Sequence, residues 1–127
     1  MSLAALVATV LLVVLVVFQL ALALGAPLGD MSWGGRSPGV LPRNLRVASA
    51  IAGLVVYPAI IGIVLASAGL GAPGSVPIAG STAMWVLAGF FLLGGFLNAV
   101  SRSRRERIWA PVSFVIALCC AVIALGA

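Results

Sequence analysis

Residues 3–26 read LAALVATVLLVVLVVFQLALALGA, a run in which Thr9 and Gln19 carry the only polar side chains. A helix needs about 20 consecutive apolar residues to cross the hydrocarbon core of a bilayer, which is about 30 Å thick. The run lacks the apolar–polar alternation of a transmembrane β-strand. It also lacks a basic segment before the apolar stretch, as a secretory signal would have. It therefore predicts a retained membrane-spanning α-helix.

Three further runs of the same kind follow, at residues 47–70, 82–100 and 109–127. The connecting segments are 27–46, 71–81 and 101–108, and none is long enough to hold a soluble domain. Each run must satisfy its own backbone hydrogen bonds inside lipid, which favours helices. The sequence predicts one domain over residues 1–127. Its fold class is all-α, a polytopic membrane protein with four transmembrane helices in an antiparallel bundle.

The composition supports this class. Hydrophobic residues make up 64% of the 127 positions and charged residues 7%, with a mean hydropathy of +1.32. A soluble domain is roughly half apolar and about a quarter charged. The formal net charge of +5 does not indicate nucleic-acid binding, because that function needs a basic face with interleaved aromatic residues on a soluble element.

The arginines predict the orientation in the membrane. The chain has no lysine, and its seven basic residues all lie in the first and third connecting segments: Arg36, Arg43, Arg46, Arg102, Arg104, Arg105 and Arg107. Basic loops remain on the cytoplasmic side. We therefore expect a multi-pass protein of the inner (cytoplasmic) membrane with its N-terminus and C-terminus outside.

The same arginines are candidate binding residues. In segment 27–46, Gly34, Gly35 and the Pro38–Gly39 pair predict turns, and Pro42 predicts a helix start beside Arg43 and Arg46. Glycine amides, a helix N-terminus and arginines together bind phosphate or an anionic headgroup. Alternatively, the arginines of both segments only orient the protein and pair with anionic lipid at the cytoplasmic face.

Few polar or helix-breaking residues lie within the predicted spans. Gln19 indicates either an interhelical hydrogen bond or a place on a substrate pathway. Asn98 is expected to cap the end of the third span or to bond the first loop. Pro58, after Tyr57, predicts a kink that frees the carbonyl of Leu54, and the kink is either a packing feature or a hinge or cavity.

Catalytic chemistry is not indicated. The spans hold no carboxylate, histidine or lysine, and Asp30 and Glu106 are the only acids in the chain. General acid–base catalysis needs a positioned titratable group. Cys119 and Cys120 point about 100° apart on a helix and are expected to pack as small apolar residues. We expect no enzyme activity, no cofactor and no metal site.

The irregular segments resemble a known group of sequences. GAPLG follows the first span, WGG, GVLP and LRVAS lead into the second, and SRSRRERIWAP joins the last two. This pattern resembles a family of small bacterial four-span integral membrane proteins that has no assigned activity. The resemblance implies the same four-span topology in a bacterial membrane and brings no catalytic residues.

The predicted function is binding without catalysis. The protein would serve as an accessory or regulatory partner of a membrane complex, or would bind anionic lipid headgroups. The alternative is a small homo-oligomeric channel or uncoupled transporter for a small anion or an apolar solute. An enzyme acting on lipid ranks third because acid–base groups are lacking.

Overall fold

The computed structural model describes residues 2–72 and 74–126. Within them are four helices long and apolar enough to cross a membrane, and no strand. We name these helices α1 (Leu3–Ala23), α2 (Arg43–Ser67), α3 (Ser81–Ala99) and α4 (Trp109–Ala124). The prediction of an all-α membrane bundle is confirmed. The predicted end of the fourth span, Ala127, lies outside the described residues, as does Pro73 of the second loop.

The helix ends differ from the ends of the apolar runs. Helix α2 begins at Arg43, before residue 47, because Pro42 supplies its N-cap and a helix can extend beyond the hydrocarbon into the headgroup region. Helices α1 and α2 end before the apolar runs do. Gly25 and Gly69 have φ values of +100° and +83° just past their last turns, and glycine favours this left-handed conformation at helix C-termini.

The helices pack as two hairpins. Helix α1 contacts α2 along its length, α3 contacts α4 most extensively, and α1 packs against α4. Small residues allow the close approaches. A Cβ at Gly53 would lie 2.9 Å from Cδ2 of Leu20, and a Cβ at Gly95 would lie 2.6 Å from a ring carbon of Phe114.

Helices α2 and α3 touch little, and their contacts fall mainly in the Tyr57–Ser67 part of α2. The Arg43–Val56 part of α2 therefore makes little contact with α3. A cleft lined by Ala52 of α2 and by Phe90 and Gly94 of α3 lies between the two helices.

The packed core lies away from that cleft. Leu12, Val64, Met84, Ile116 and Cys120 come from all four helices and are completely buried. Cys119 is also buried, as expected for a small packing residue. Most of the remaining apolar side chains of the spans face outward, where lipid is their solvent.

The backbone hydrogen bonding of α2 changes just before the Tyr57–Pro58 pair, where the sequence predicts a kink. Residues Ala52–Val56 form a π-helical turn, and the N–H of Tyr57 donates to the carbonyl of Ala52. Pro58 has no N–H to donate to the preceding turn, and the α-helix resumes at Tyr57. A π-helical turn is rare and frequently lies at a functional site.

Candidate functional site

The first loop, residues 24–42, folds back across one end of the bundle. It contains two short 3₁₀ turns, Gly29–Met31 and Trp33–Gly35. The N–H of Gly29 donates to the carbonyl of Gly39 at 2.8 Å, and a Cβ at Gly29 would lie 1.9 Å from the carbonyl oxygen of Ser37. Only glycine fits there. We call the folded segment 27–42 the loop cap.

The third loop, residues 100–105, holds the loop cap in place. Arg105 forms an ion pair with Asp30 at 3.1 Å, and the hydroxyl of Ser103 donates to the carbonyl of Asp30. At the start of α4, the indole Nε1 of Trp109 donates to the carbonyl of Met31 at 3.0 Å. The two arginine-bearing loops thus form one structure, and we call this end of the molecule the arginine end.

Trp33 lies at the centre of the arginine end in a strained conformation. Its φ is +50°, and Gly34 and Gly35 follow with +80° and +69°. A bulky residue in this region costs about 1–3 kcal/mol and persists only where its surroundings hold it. Two contacts do so. The Trp33 Nε1 donates to the hydroxyl of Ser49 at 3.0 Å, and the Gly34 N–H donates to Oε2 of Glu106 at 2.9 Å.

A cavity of about 230 Å³ lies beneath the loop cap, between the four helices. We call it the inner chamber. Its polar side chains include Gln19, Tyr57 and Asn98, the three intramembrane polar residues singled out from the sequence. The structure therefore brings together, on one cavity, side chains from α1, α2 and α3.

The remaining wall of the inner chamber is mainly apolar and aromatic. Its members include Leu15, Phe18, Phe90, Phe91 and Trp109. Leu15 and Phe91 each lie eight residues before the helix ends at Ala23 and Ala99, which is about 12 Å at about 1.5 Å per residue. The inner chamber reaches at least this far from the arginine end.

Gln19 has an unmet hydrogen-bonding requirement. Its Oε1 is buried and has no hydrogen-bond partner among the described residues. The interhelical hydrogen bond expected as the simpler role of Gln19 is thus not formed through this atom. A buried acceptor without a partner costs about 1–3 kcal/mol; the Gln19 side chain lines the inner chamber, but this oxygen is itself enclosed by protein.

A second cavity, of about 580 Å³, lies outside the first. We call it the outer groove. Arg36 comes to it from the loop cap and Arg102 from the third loop. The outer groove and the inner chamber share Trp33, Asn98 and Glu106, so the two cavities adjoin at these three side chains.

The other arginines take separate positions. Arg46 donates from Nε to the carbonyl of Ala23 at 3.2 Å, where a cation is favourable at the C-terminus of α1. Arg107 donates to the carbonyl of Ser101 at 2.8 Å. Arg43 and Arg104 are exposed. The three arginines of the first loop, Arg36 included, are therefore spread over the arginine end.

Glu106 is the site residue that sequence reasoning missed. Its side chain is 6% exposed, although the sequence places it among arginines in a short loop. Only the folded loop cap explains the burial, because the Glu106 partner, the Gly34 N–H, is 72 residues away in the chain. The chamber aromatics Phe18, Phe90 and Phe91 gave no signal either, since they look like any other apolar residue of a span.

The described residues contain no cluster of three or more histidine, cysteine or acidic side chains suited to a metal ion. The polar groups at the site are instead guanidinium, amide, hydroxyl, indole and carboxylate. These groups bind other molecules through charge and hydrogen bonds.

No protein-family model, curated protein or solved structure matches this chain. The resemblance to small bacterial four-span proteins therefore stays a prediction. What this protein binds has to be inferred from the arginine end itself.

Proposed function

We propose that this chain is a non-catalytic membrane protein that binds anionic lipid headgroups through its arginine end. In this role it is an accessory or regulatory partner of a membrane complex. One observation carries the proposal. Four exposed arginines, Arg36, Arg43, Arg102 and Arg104, have no hydrogen bond or ion pair with any residue that the structure describes.

The two acids of the chain cannot neutralise these four arginines. Asp30 pairs with Arg105, and Glu106 is buried beneath the loop cap. The unpaired guanidiniums are therefore free to bind phosphate oxygens, to which arginine donates two parallel hydrogen bonds. An arginine near an anionic leaflet contributes about 1 kcal/mol of attraction.

The orientation follows from the same charges. With the arginine end in the cytoplasm, as basic loops favour, both termini lie outside a bacterial cytoplasmic membrane. Reporter fusions at the two termini test this arrangement. A cytoplasmic reporter that is active at either terminus contradicts it.

The test of lipid binding is native mass spectrometry of the protein from mixed micelles of phosphatidylglycerol and phosphatidylcholine. We expect the protein to retain phosphatidylglycerol preferentially, and an Arg43→Gln/Arg104→Gln variant to retain less of it. A matched control is Asp30→Asn/Arg105→Gln, which leaves the net charge of the chain unchanged. Equal retention of the two lipids by the unmodified protein sinks the proposal.

The accessory role has its own test. A protein partner should copurify with this chain in mild detergent at a fixed stoichiometry. Recovery of a monodisperse monomer alone, from cells that express the chain at native level, contradicts that part of the proposal.

A homo-oligomeric channel or uncoupled transporter is the second candidate, and the inner chamber is the observation that favours it. The lining of this cavity includes the polar side chains of Gln19, Tyr57 and Asn98, and it reaches Leu15 and Phe91, about 12 Å from the helix ends at the arginine end. Completely buried residues fill the bundle beyond it, so passage across the membrane would need several protomers. Solute flux into proteoliposomes that falls on neutralising Arg43 or Arg46 supports this candidate, and absence of flux across a broad panel excludes it.

A further inference from the structure

The shapes of the two cavities suggest one ligand with a head and a tail. The inner chamber and the outer groove adjoin at Trp33, Asn98 and Glu106. The groove carries the charged side chains of Arg36 and Arg102 and lies at the arginine end, whereas most residues that line the chamber are apolar and lie between the helices. A molecule that fills both must be amphiphilic.

The charges of the outer groove indicate which headgroup the ligand carries. Two unpaired arginines, Arg36 and Arg102, share the groove with a single carboxylate, that of Glu106. Arginine pairs are suited to phosphate. The carboxylate has one oxygen, Oε2, bonded to the Gly34 N–H, and it favours a cationic group on the ligand. A zwitterionic head can place its phosphate beside the two guanidiniums and its ammonium beside this carboxylate, whereas a purely anionic head gives the carboxylate no cationic partner.

The inner chamber indicates the apolar part of the ligand and the polar groups that join it to the headgroup. Phe18, Phe90 and Phe91 provide an apolar wall, whereas Gln19 and Tyr57 provide polar groups. Both polar side chains line the chamber, and each can donate a hydrogen bond to an oxygen of the ligand's glycerol ester region.

We assign entry from the bilayer to the side where α2 and α3 make few contacts. These contacts are few along Arg43–Val56, which includes the π-helical turn at Ala52–Val56. Ala52 lines the inner chamber from α2, and Phe90 and Gly94 line it from α3. An acyl chain can therefore pass between these two helices while its headgroup stays at the arginine end.

From these observations we propose that the groove and chamber bind one phospholipid whose headgroup carries both a phosphate and a primary ammonium, as phosphatidylethanolamine does. Arg36 and Arg102 bind the phosphate, and Glu106 binds the ammonium. One acyl chain occupies the inner chamber. This inference rests on the proposed binding of lipid phosphate at the arginine end. It assigns the groove and chamber to a zwitterionic lipid, whereas Arg43 and Arg104 lie outside both cavities.

The lipid test uses native mass spectrometry with phosphatidylethanolamine, phosphatidylglycerol and phosphatidylcholine of identical acyl chains. We expect one phosphatidylethanolamine molecule to remain bound, with a preference of about tenfold over phosphatidylcholine, the effect of one charge-assisted hydrogen bond. The quaternary ammonium of phosphatidylcholine has no N–H to donate. Equal retention of these two lipids overturns the inference.

The selectivity test uses Glu106→Gln, whose amide oxygen still accepts from the Gly34 N–H. We expect this variant to lose the preference for phosphatidylethanolamine and to retain more phosphatidylglycerol, because the negative charge near the phosphate is gone. An unchanged ratio of the two lipids overturns the inference. Arg36→Gln/Arg102→Gln should reduce retention of both lipids.

The chamber test uses two glycines of one helix. Gly94 lines the inner chamber and Gly89 does not, and a Cβ at either would meet no described atom within 4 Å. Gly94→Leu fills the cavity and should abolish retention of the bound lipid, whereas Gly89→Leu should retain it. Retention by both variants overturns the inference. Displacement by soluble phosphoethanolamine alone would also overturn it, because the tail would then be unnecessary.

The two proposals fail in distinguishable ways. Arg43 and Arg104 do not line the outer groove or the inner chamber. If Arg43→Gln/Arg104→Gln leaves phosphatidylglycerol retention unchanged while Glu106→Gln and Gly94→Leu act as expected, only the general function fails. If Arg43→Gln/Arg104→Gln reduces phosphatidylglycerol retention while Glu106→Gln and Gly94→Leu have no effect, only the selective site is contradicted.

Discussion

The arginine end and the opposite end of the bundle both reverse the chain between helices, but they are built differently. At the arginine end, the loop cap bonds to the third loop, to α2 and to α4. At the opposite end, the Gly80 N–H donates to the hydroxyl of Ser67 at 2.9 Å, and the Ser81 hydroxyl donates to the carbonyl of Ala124 at 3.1 Å. There, Cβ atoms at Gly69 or Gly71 would meet no described atom within 4 Å.

This difference teaches what the long loop is for. Connections in helical bundles are typically about 2–8 residues long. The first loop, residues 24–42, and the opposite loop, residues 68–80, are both longer, but among the described residues the opposite loop lacks the close glycine contacts of the first. The first loop carries strain at Trp33 and a fit at Gly29 that admits no side chain. Such constraints belong to a segment whose shape is needed, and here the shape closes two cavities.

The largest effect is expected from Gly29→Ala. Its Cβ would collide with the carbonyl of Ser37, and because backbone cannot rotate away, we expect a loss of about 3 kcal/mol, the top of the range for overpacking. Arg36 is already exposed, but the released loop cap should be flexible enough to enter the active site of trypsin. Faster cleavage after Arg36 and a lower melting temperature in detergent are the measurements.

Gly71→Ala at the opposite end is the matched control for Gly29→Ala. Gly71 also has a positive φ, +90°, but no described atom lies within 4 Å of its Cβ position. Only backbone strain of about 1 kcal/mol is expected. Equal losses for the two variants would show that the loop cap has no special fit.

The next largest effect is expected at Gly95 of α3, and Gly89 of the same helix is its control. A Cβ at Gly95 would lie 2.6 Å from the ring of Phe114, so Gly95→Ala should cost about 2 kcal/mol by separating α3 from α4. Gly89 faces open space, so Gly89→Ala should be neutral or stabilising through its better helix propensity. Melting temperatures of the two variants decide this, and a destabilised Gly89→Ala would contradict the packing described.

Trp33→Phe should have a smaller effect. It removes the Nε1–H that donates to the buried Ser49 hydroxyl, and one such bond is worth about 1 kcal/mol. The loss should speed tryptic cleavage after Arg36. Trp85→Phe is the control, since Trp85 is exposed on α3. If both variants leave cleavage unchanged, the indole of Trp33 does not hold the loop cap.

The smallest effect is expected at the ion pair. Asp30 and Arg105 are 27% and 54% exposed, and exposed pairs contribute about 0–1 kcal/mol, screened by salt. The melting temperature of Asp30→Asn should therefore approach that of the unmodified protein as salt increases. A double-mutant cycle with Arg105→Gln measures the coupling, and a coupling unaffected by salt would contradict solvent exposure of the pair.

The sequence was a good guide to the spans because lipid solvation acts on each segment separately. A run such as 3–26 must be a helix in lipid whatever surrounds it. The helix ends were predicted less well, since Gly25 and Gly69 end α1 and α2 before the apolar residues stop. The prediction at Pro58 identified the right position, but the π-helical turn was not foreseen.

The candidate site was predictable only in pieces. The arginines and the residues Gln19, Tyr57 and Asn98 could be found as unusual residues in an apolar chain. That the last three line one cavity could not, because they lie on three different helices. The role of Glu106 could not be predicted for a similar reason, since its hydrogen-bond partner is the backbone N–H of Gly34, which is far away in sequence.

The sequence by itself determined that this is a membrane protein with apolar spans and that its arginines lie in two of the three loops. These properties come from composition and from short-range periodicity, which need no knowledge of neighbours. The tertiary structure alone decided that the two arginine loops join and that a cavity forms beneath them. A cavity forms where neighbouring helices do not pack against each other. The low contact between α2 and α3 depends on several segments together and cannot be predicted from any one of them.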